Sequence, residues 1–167
     1  SDIFAVHMQV ASPVVSRDQA LTLVKLAVGS FVSISAVLHV SFMALKCSSM
    51  KKSTQVFIAS CIGSLFNAIP VTPYAAAALR EMAFGDSPLS LLTPLDVSMT
   101  TPSPDSLVVA CGITCGYFLA DCAHMLRFPA ENLAEMGRGG MRLMWAHHIL
   151  SLVGWPYSVL TGRASLF

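Results

Sequence analysis

The sequence predicts an all-α protein, a polytopic bundle of transmembrane helices with about four spans. Two observations carry this. Hydrophobic residues make up 54% of the chain and charged residues only 11%, whereas a soluble domain is about 25% charged. The ten basic and nine acidic residues also fall in short clusters. The uncharged stretches between them approach or exceed the roughly 20 residues that cross a bilayer as a helix. The mean hydropathy of +0.67 agrees.

Residues 1–24 read as an N-terminal, interfacial segment, with Pro13 marking an irregular start. Ser16-Arg17-Asp18-Gln19 has the pattern of a helix opening with Ser16 as N-cap. The first span is Leu26–Leu45, uncharged, with His39 and several serines inside it and Lys25 and Lys46 placed to snorkel at its ends. The second runs over about 54–79. Pro70 and Pro73 lie within it, and each removes a backbone donor and crowds the preceding turn, so a kink is expected after Ile69. Residues 82–105 read as a loop because of Pro88, Pro94, Pro102 and Pro104, with the apolar run Leu89–Leu95 able to lie along the interface. The third span is Ser106–Leu126. A connection with three arginines and two glutamates follows. In it, Ala130–Met136 suits a short amphipathic turn ended by Gly137-Arg138-Gly139-Gly140. The fourth span is Leu143–Thr161, with Pro156 a possible kink. Gly112 and Gly116 form a GxxxG pair, which lets helices approach closely.

Lys and Arg set orientation. Lys46, Lys51, Lys52, Arg127, Arg138 and Arg142, six of the ten basic residues, lie in the connections 46–53 and 127–142. Four spans with both termini away from the cytosol follow from that bias. A net charge of +1 offers no basic face for nucleic acid. The five cysteines are odd in number and lack CxxC spacing, so neither a disulfide framework nor a thiolate metal site is indicated. Cys61, Cys111, Cys115 and Cys122 read as small buried hydrophobes. Cys47, beside Lys46, is either an interfacial residue or a palmitoylation site. The first apolar run is too long and begins too late for a signal peptide. A chain that opens on Ser1 and stops at Phe167, just past a hydrophobic helix, is expected to be processed or partial.

Chemistry is concentrated in the third and fourth spans. A carboxylate such as Asp121 costs roughly 2.5–3.5 kcal/mol at a lipid-facing position, so it is expected to face protein or water. His124 and Arg127 follow at spacings of three, extending one polar stripe along the helix. The stripe either fixes helix packing through ion pairs and hydrogen bonds, or it holds Asp121 where it orients a catalytic histidine or a metal. His147 and His148 are adjacent, so they point about 100° apart on a helix. One can face a cavity while the other braces it. Imidazoles exchange protons near neutral pH, and His and Asp are also normal zinc ligands, although HExxH and other zinc signatures are absent. Structural histidines, proton transfer or nucleophilic catalysis, and metal binding all remain open on residue type alone.

Gly116-Tyr117-Phe118-Leu119-Ala120-Asp121, an Arg/Gly-containing connection, and Trp145-Ala146-His147-His148-Ile149-Leu150-Ser151-Leu152-Val153-Gly154 together resemble the central part of a TLC domain. That superfamily includes ceramide synthases, translocation-associated membrane proteins and lipid-regulating TLC-domain proteins. The resemblance covers roughly residues 20–167 and is concentrated in 106–163, so that 25–167 would be a TLC-like domain incomplete at its C-terminus. With Thr161-Gly162-Arg163 behind the His pair, it is closer to the lipid-regulating branch. It implies a helix bundle around a lipid-accessible cavity, in the endoplasmic reticulum by family default or in a mitochondrial or other organelle membrane. The implied role is in lipid metabolism or membrane lipid composition. It assigns His147, His148 and Asp121 to catalysis and His124, Tyr117 and Trp145 to lipid binding. No metal and no cofactor are implied. Acyl-CoA would be the substrate of an N-acyl transfer of the ceramide synthase type. The synthase signature continues past the His pair to acidic residues on the next helix, and it is incomplete in this sequence, where no Asp or Glu lies between His148 and Phe167. The alternative is a non-catalytic structural or lipid-binding subunit, with membrane lipids, other membrane subunits or a second copy as its partners.

Overall fold

A computed structural model describes residues 15–84 and 103–161. Four helices account for nearly all of them: α1, Arg17–Leu45; α2, Lys52–Phe84; α3, Asp105–Arg127; and α4, Pro129–Thr161. No strand occurs among the described residues. α1, α2 and α3 are each long and apolar enough to cross a membrane. α4 is present where the fourth span is expected, but His147, His148, Trp145 and Pro156 make it less apolar than the others. The protein is an all-α membrane helix bundle.

α1 begins where Ser16 caps it. The Ser16 hydroxyl accepts from Gln19 N at 3.1 Å and Gln19 Oε1 accepts from Ser16 N at 2.9 Å, a capping box that satisfies two otherwise orphaned donors. Residues 17–24, expected to be interfacial, are therefore the first turns of a 29-residue helix. α2 likewise outruns its expected bounds and passes through Pro70 and Pro73 without leaving helical conformation. The expected second piece after Ile69 is thus continuous with the first, as one helix with both prolines inside it. The two prolines leave nearby carbonyls without backbone donors, and the Thr72 hydroxyl donates to Ala68 O at 2.7 Å in that stretch. Met82 to Phe84, expected to open a loop, still belong to α2. The apolar run Leu89–Leu95 of that expected loop, like residues 1–14 and 162–167, lies outside the described residues. α4 holds the one break that glycine spacing predicts. Gly137 adopts φ 68°, ψ 173° and divides a short first segment from the long second one. That region of backbone space is essentially glycine's alone.

The chain runs up, down, up and down. At one end Gln19 of α1 donates to Ser103 O at 3.2 Å and to Asp105 Oδ1 at 2.7 Å. Ser106 there donates to Glu81 Oε1 at 3.1 Å, and Ser103 donates to Val159 O at 2.7 Å. At the other end Lys52 pairs with Glu131, and Phe42 packs against Phe128, the rings tilted by 46° with centroids 4.8 Å apart. Both basic connections, 46–53 and 127–142, thus belong to one end of the bundle.

α3 is the central helix. Its buried positions include Val108, Cys111, Cys115, Phe118, Asp121, His124 and Met125, a wider stripe than either neighbour buries. Its GxxxG pair sits against α1. A Cβ added at Gly112 would come within 2.9 Å of Leu23 O, and one at Gly116 would overlap Ala27 O. The Ser30 hydroxyl donates to Ile113 O at 2.8 Å across the same contact. Helices in lipid associate through such close packing because lipid tails are as apolar as leucine side chains. The outward faces carry apolar side chains in the open: Val28, Val32 and Val40 on α1, Leu65 and Ile69 on α2, Leu150 and Val153 on α4. These are the surfaces a bilayer covers. Cys111 and Cys115 are buried as expected. Cys61 and Cys47 are exposed, and Cys122 is half-buried.

Candidate functional site

α4 presents His148, Ser151, Gly154 and Ser158 at spacings of three and four, and all four are buried. Such spacing puts them on one helical face, a narrow polar and small-residue strip that packs inward. His147, one position earlier and rotated by about 100°, is exposed. On α3, Asp121 continues the buried face one turn beyond Phe118. Packing α3 against α4 therefore brings a carboxylate and an imidazole together in the bundle interior.

His148 Nε2 lies 2.8 Å from Asp121 Oδ2, and His148 Nδ1 lies 2.8 Å from Met144 O. A carbonyl oxygen only accepts, so Nδ1 carries a proton and donates. The proton between Nε2 and Oδ2 belongs to the pair, and in either placement the dyad has no net charge. The second carboxylate oxygen, Oδ1, accepts from the Ser60 hydroxyl of α2 at 2.6 Å. Three helices thus converge on one carboxylate. The pair is shut off from the exterior: His148 is 1% exposed and Asp121 3%. Phe118 closes one side, its ring edge-on to His148 at 5.1 Å and to His147 at 5.4 Å.

Of the residues singled out in the sequence, Asp121 and His148 meet directly. His147 touches the site only through Phe118 and the neighbouring ring, 5.5 Å away centre to centre. Tyr117 packs on Ile34, Leu38 and Ala120, with its ring 6.4 Å from His148. Trp145 lines a separate depression of about 350 Å³ with Arg138, Met141 and Arg142. The expected stripe Asp121–His124–Arg127 does not act as one unit. His124 is turned to α2, with Nε2 3.4 Å from Val56 O, and its ring stands edge-on to Phe128 at 5.0 Å. Arg127 is exposed and lies over the Phe128 ring. Spacing of three makes neighbours on a helix surface, but α2 offers His124 a carbonyl and α4 offers Asp121 an imidazole, so the two diverge. Among the described residues no three His, Cys, Asp or Glu side chains are grouped so as to hold a metal ion. Ser60 had no distinguishing signal in the sequence, since Ser64 lies one turn further along α2 with the same residue type.

The dyad can hold a proton and lock three helices in register. With both nitrogens engaged and the ring covered, His148 cannot reach a substrate in this arrangement. His147 can. No family model matches the chain, and no curated protein or solved structure matches it either.

Proposed function

We propose that this chain is a TLC-type membrane bundle acting on lipids, in lipid metabolism or in setting membrane lipid composition. One observation supports this above the others. The two halves of the motif that carries the resemblance, separated by 27 positions, are joined by the hydrogen bond between Asp121 and His148.

Within that function two versions make different demands. N-acyl transfer from acyl-CoA to a sphingoid amine needs an imidazole nitrogen that a thioester can approach, either as nucleophile or as general base. His147 meets that need by exposure. His148 and Asp121 then act beneath it as positioning residues. A non-catalytic structural or lipid-binding subunit needs the dyad only to hold the bundle together. The burial of both dyad residues, together with the long apolar faces of α1, α2 and α4, favours this second version. The endoplasmic reticulum membrane goes with the family reading.

The intact chain in phospholipid vesicles, supplied with a long-chain acyl-CoA and a sphingoid base, tests between them. N-acylated product from the native chain, lost in His147→Ala and retained in a surface variant such as Arg80→Gln, establishes the acyltransferase. Absence of product from well-folded protein establishes the non-catalytic version. The lipid reading as a whole is tested by lipid mass spectrometry of cells making the native chain or Asp121→Asn. Identical profiles, both equal to cells without the protein, would refute it.

A further inference from the structure

At the basic end of the bundle, α1 and α3 enclose a cavity of about 110 Å³ that the dyad does not touch. Its floor is made by buried Leu38, His124 and the contacting Phe42 and Phe128 rings. Its mouth opens sideways between exposed His39, Ala123 and Arg127, with Ser35 beside them. Every ionisable group lining it is a histidine or an arginine, and no carboxylate does so.

The surroundings add positive charge. Lys46 stands over the Phe42 ring at 5.9 Å, and Lys52 and Arg127 stand over the Phe128 ring at 5.6 and 5.4 Å. Glu131 pairs with Lys52. Among the described residues neither Lys46 nor Arg127 has an ion-pair partner. Both lie at helix ends, where lipid phosphates sit. His124 is one turn further in from Arg127, about 4.5 Å at 1.5 Å per residue, and His39 about 9 Å in from Leu45 by the same rise. The polar groups are therefore graded in depth, with permanent charges at headgroup level and the exposed His39 imidazole below them, where a phospholipid carries its ester carbonyls.

We propose that this cavity binds the headgroup of an anionic membrane phospholipid, its phosphate on Arg127 and Lys46 and its ester oxygens facing His39. Basic pockets between transmembrane helices are suited to such lipids. The sideways opening admits a molecule already in the bilayer, which favours a lipid over a free anion from water. The site shares no side chain with the Asp121–His148 dyad and stands whether or not the TLC reading does.

The test is native mass spectrometry of the intact chain in a non-ionic detergent, titrated with phosphatidylglycerol or phosphatidylcholine of identical chains. Phosphatidylglycerol should bind more tightly, by about fivefold for each basic residue engaged. Arg127→Gln should remove about that factor while Arg127→Lys keeps it. Ala123→Phe fills the mouth from an exposed position, alters no charge, and should abolish the preference. Lys25→Gln, at the opposite end of α1, should leave it intact. Equal affinity for the two lipids, an unchanged preference in Ala123→Phe, or an equal loss in Lys25→Gln would overturn the site. Displacement of phosphatidylglycerol by millimolar inorganic phosphate would overturn the assignment to a lipid.

Discussion

The carboxylate of Asp121 and the imidazole of His148 are 2.8 Å apart, on different helices, in a part of the bundle that neither solvent nor lipid reaches. Each is the other's reason for being tolerated there. A buried charge left without its partner is strongly destabilising, by about 3–5 kcal/mol, whereas a pair replaced together by apolar side chains is often close to neutral.

That asymmetry predicts a double-mutant cycle. His148→Leu and Asp121→Leu should each destabilise the bundle by about 3 kcal/mol, and the double variant by clearly less than their sum. Reversible denaturation of the purified chain in mixed micelles measures all three. Additive effects would mean that the hydrogen bond contributes no more than an ordinary interhelical one, about 0.6 kcal/mol on average.

Two glycines that look alike in sequence should behave in opposite ways. Gly116→Ala drives a methyl group into the backbone of α1 at Ala27 and Phe31 and against the Ser30 Cβ, an overpacking that costs about 1–3 kcal/mol. Gly29→Ala meets nothing within 4 Å and should stabilise α1 by up to about 1 kcal/mol through helix propensity. Thermal unfolding of the two variants side by side checks the contrast.

Gly137→Ala should destabilise by about 1–3 kcal/mol although no atom lies near enough to clash, because its backbone conformation is one that side chains forbid. The cost is conformational, so Gly137→Asn should not recover it at ψ 173°. Hydrogen exchange across residues 134–141 would show whether the variant protein loses the break and its protection pattern shifts.

The Lys52 ammonium holds the Glu131 carboxyl below the usual carboxylate range. A folded-state pKa that is lowered contributes stability above the unfolded value and loses it as pH falls through the folded one. Glu131→Gln should therefore be less stable than the native chain at neutral pH, by less than about 1 kcal/mol because the pair is exposed on its lysine side. The two should converge in acid. Denaturation midpoints of both proteins across that range test the sign. A gap that persists in acid would assign the effect to packing.

Much of the architecture was legible in the sequence because a bilayer imposes a coarse rule. Long uncharged stretches must be helices, and their ends must carry the charges. The Ser16 cap, the GxxxG contact and the glycine break at 137 were readable for the same kind of local reason. The prolines Pro70 and Pro73 did not end α2 as composition suggested, since the helix continues past both to Phe84.

The candidate site divides along the same line. Residue types marked Asp121, His124, His147 and His148 as expensive in a membrane and hence worth attention. Their partners were beyond sequence, because helical spacing fixes which side chains share a face and says nothing of what the facing helix offers. Only the packing of α2, α3 and α4 gave Asp121 to His148 and Ser60, turned His124 toward Val56, and left His147 outside. The sequence by itself determined a membrane helix bundle with its charges at the ends and a few costly polar groups within. The tertiary structure decided which of those groups neutralise one another, since a buried carboxylate is satisfied by contact at hydrogen-bond distance and that distance is set between helices, not along one.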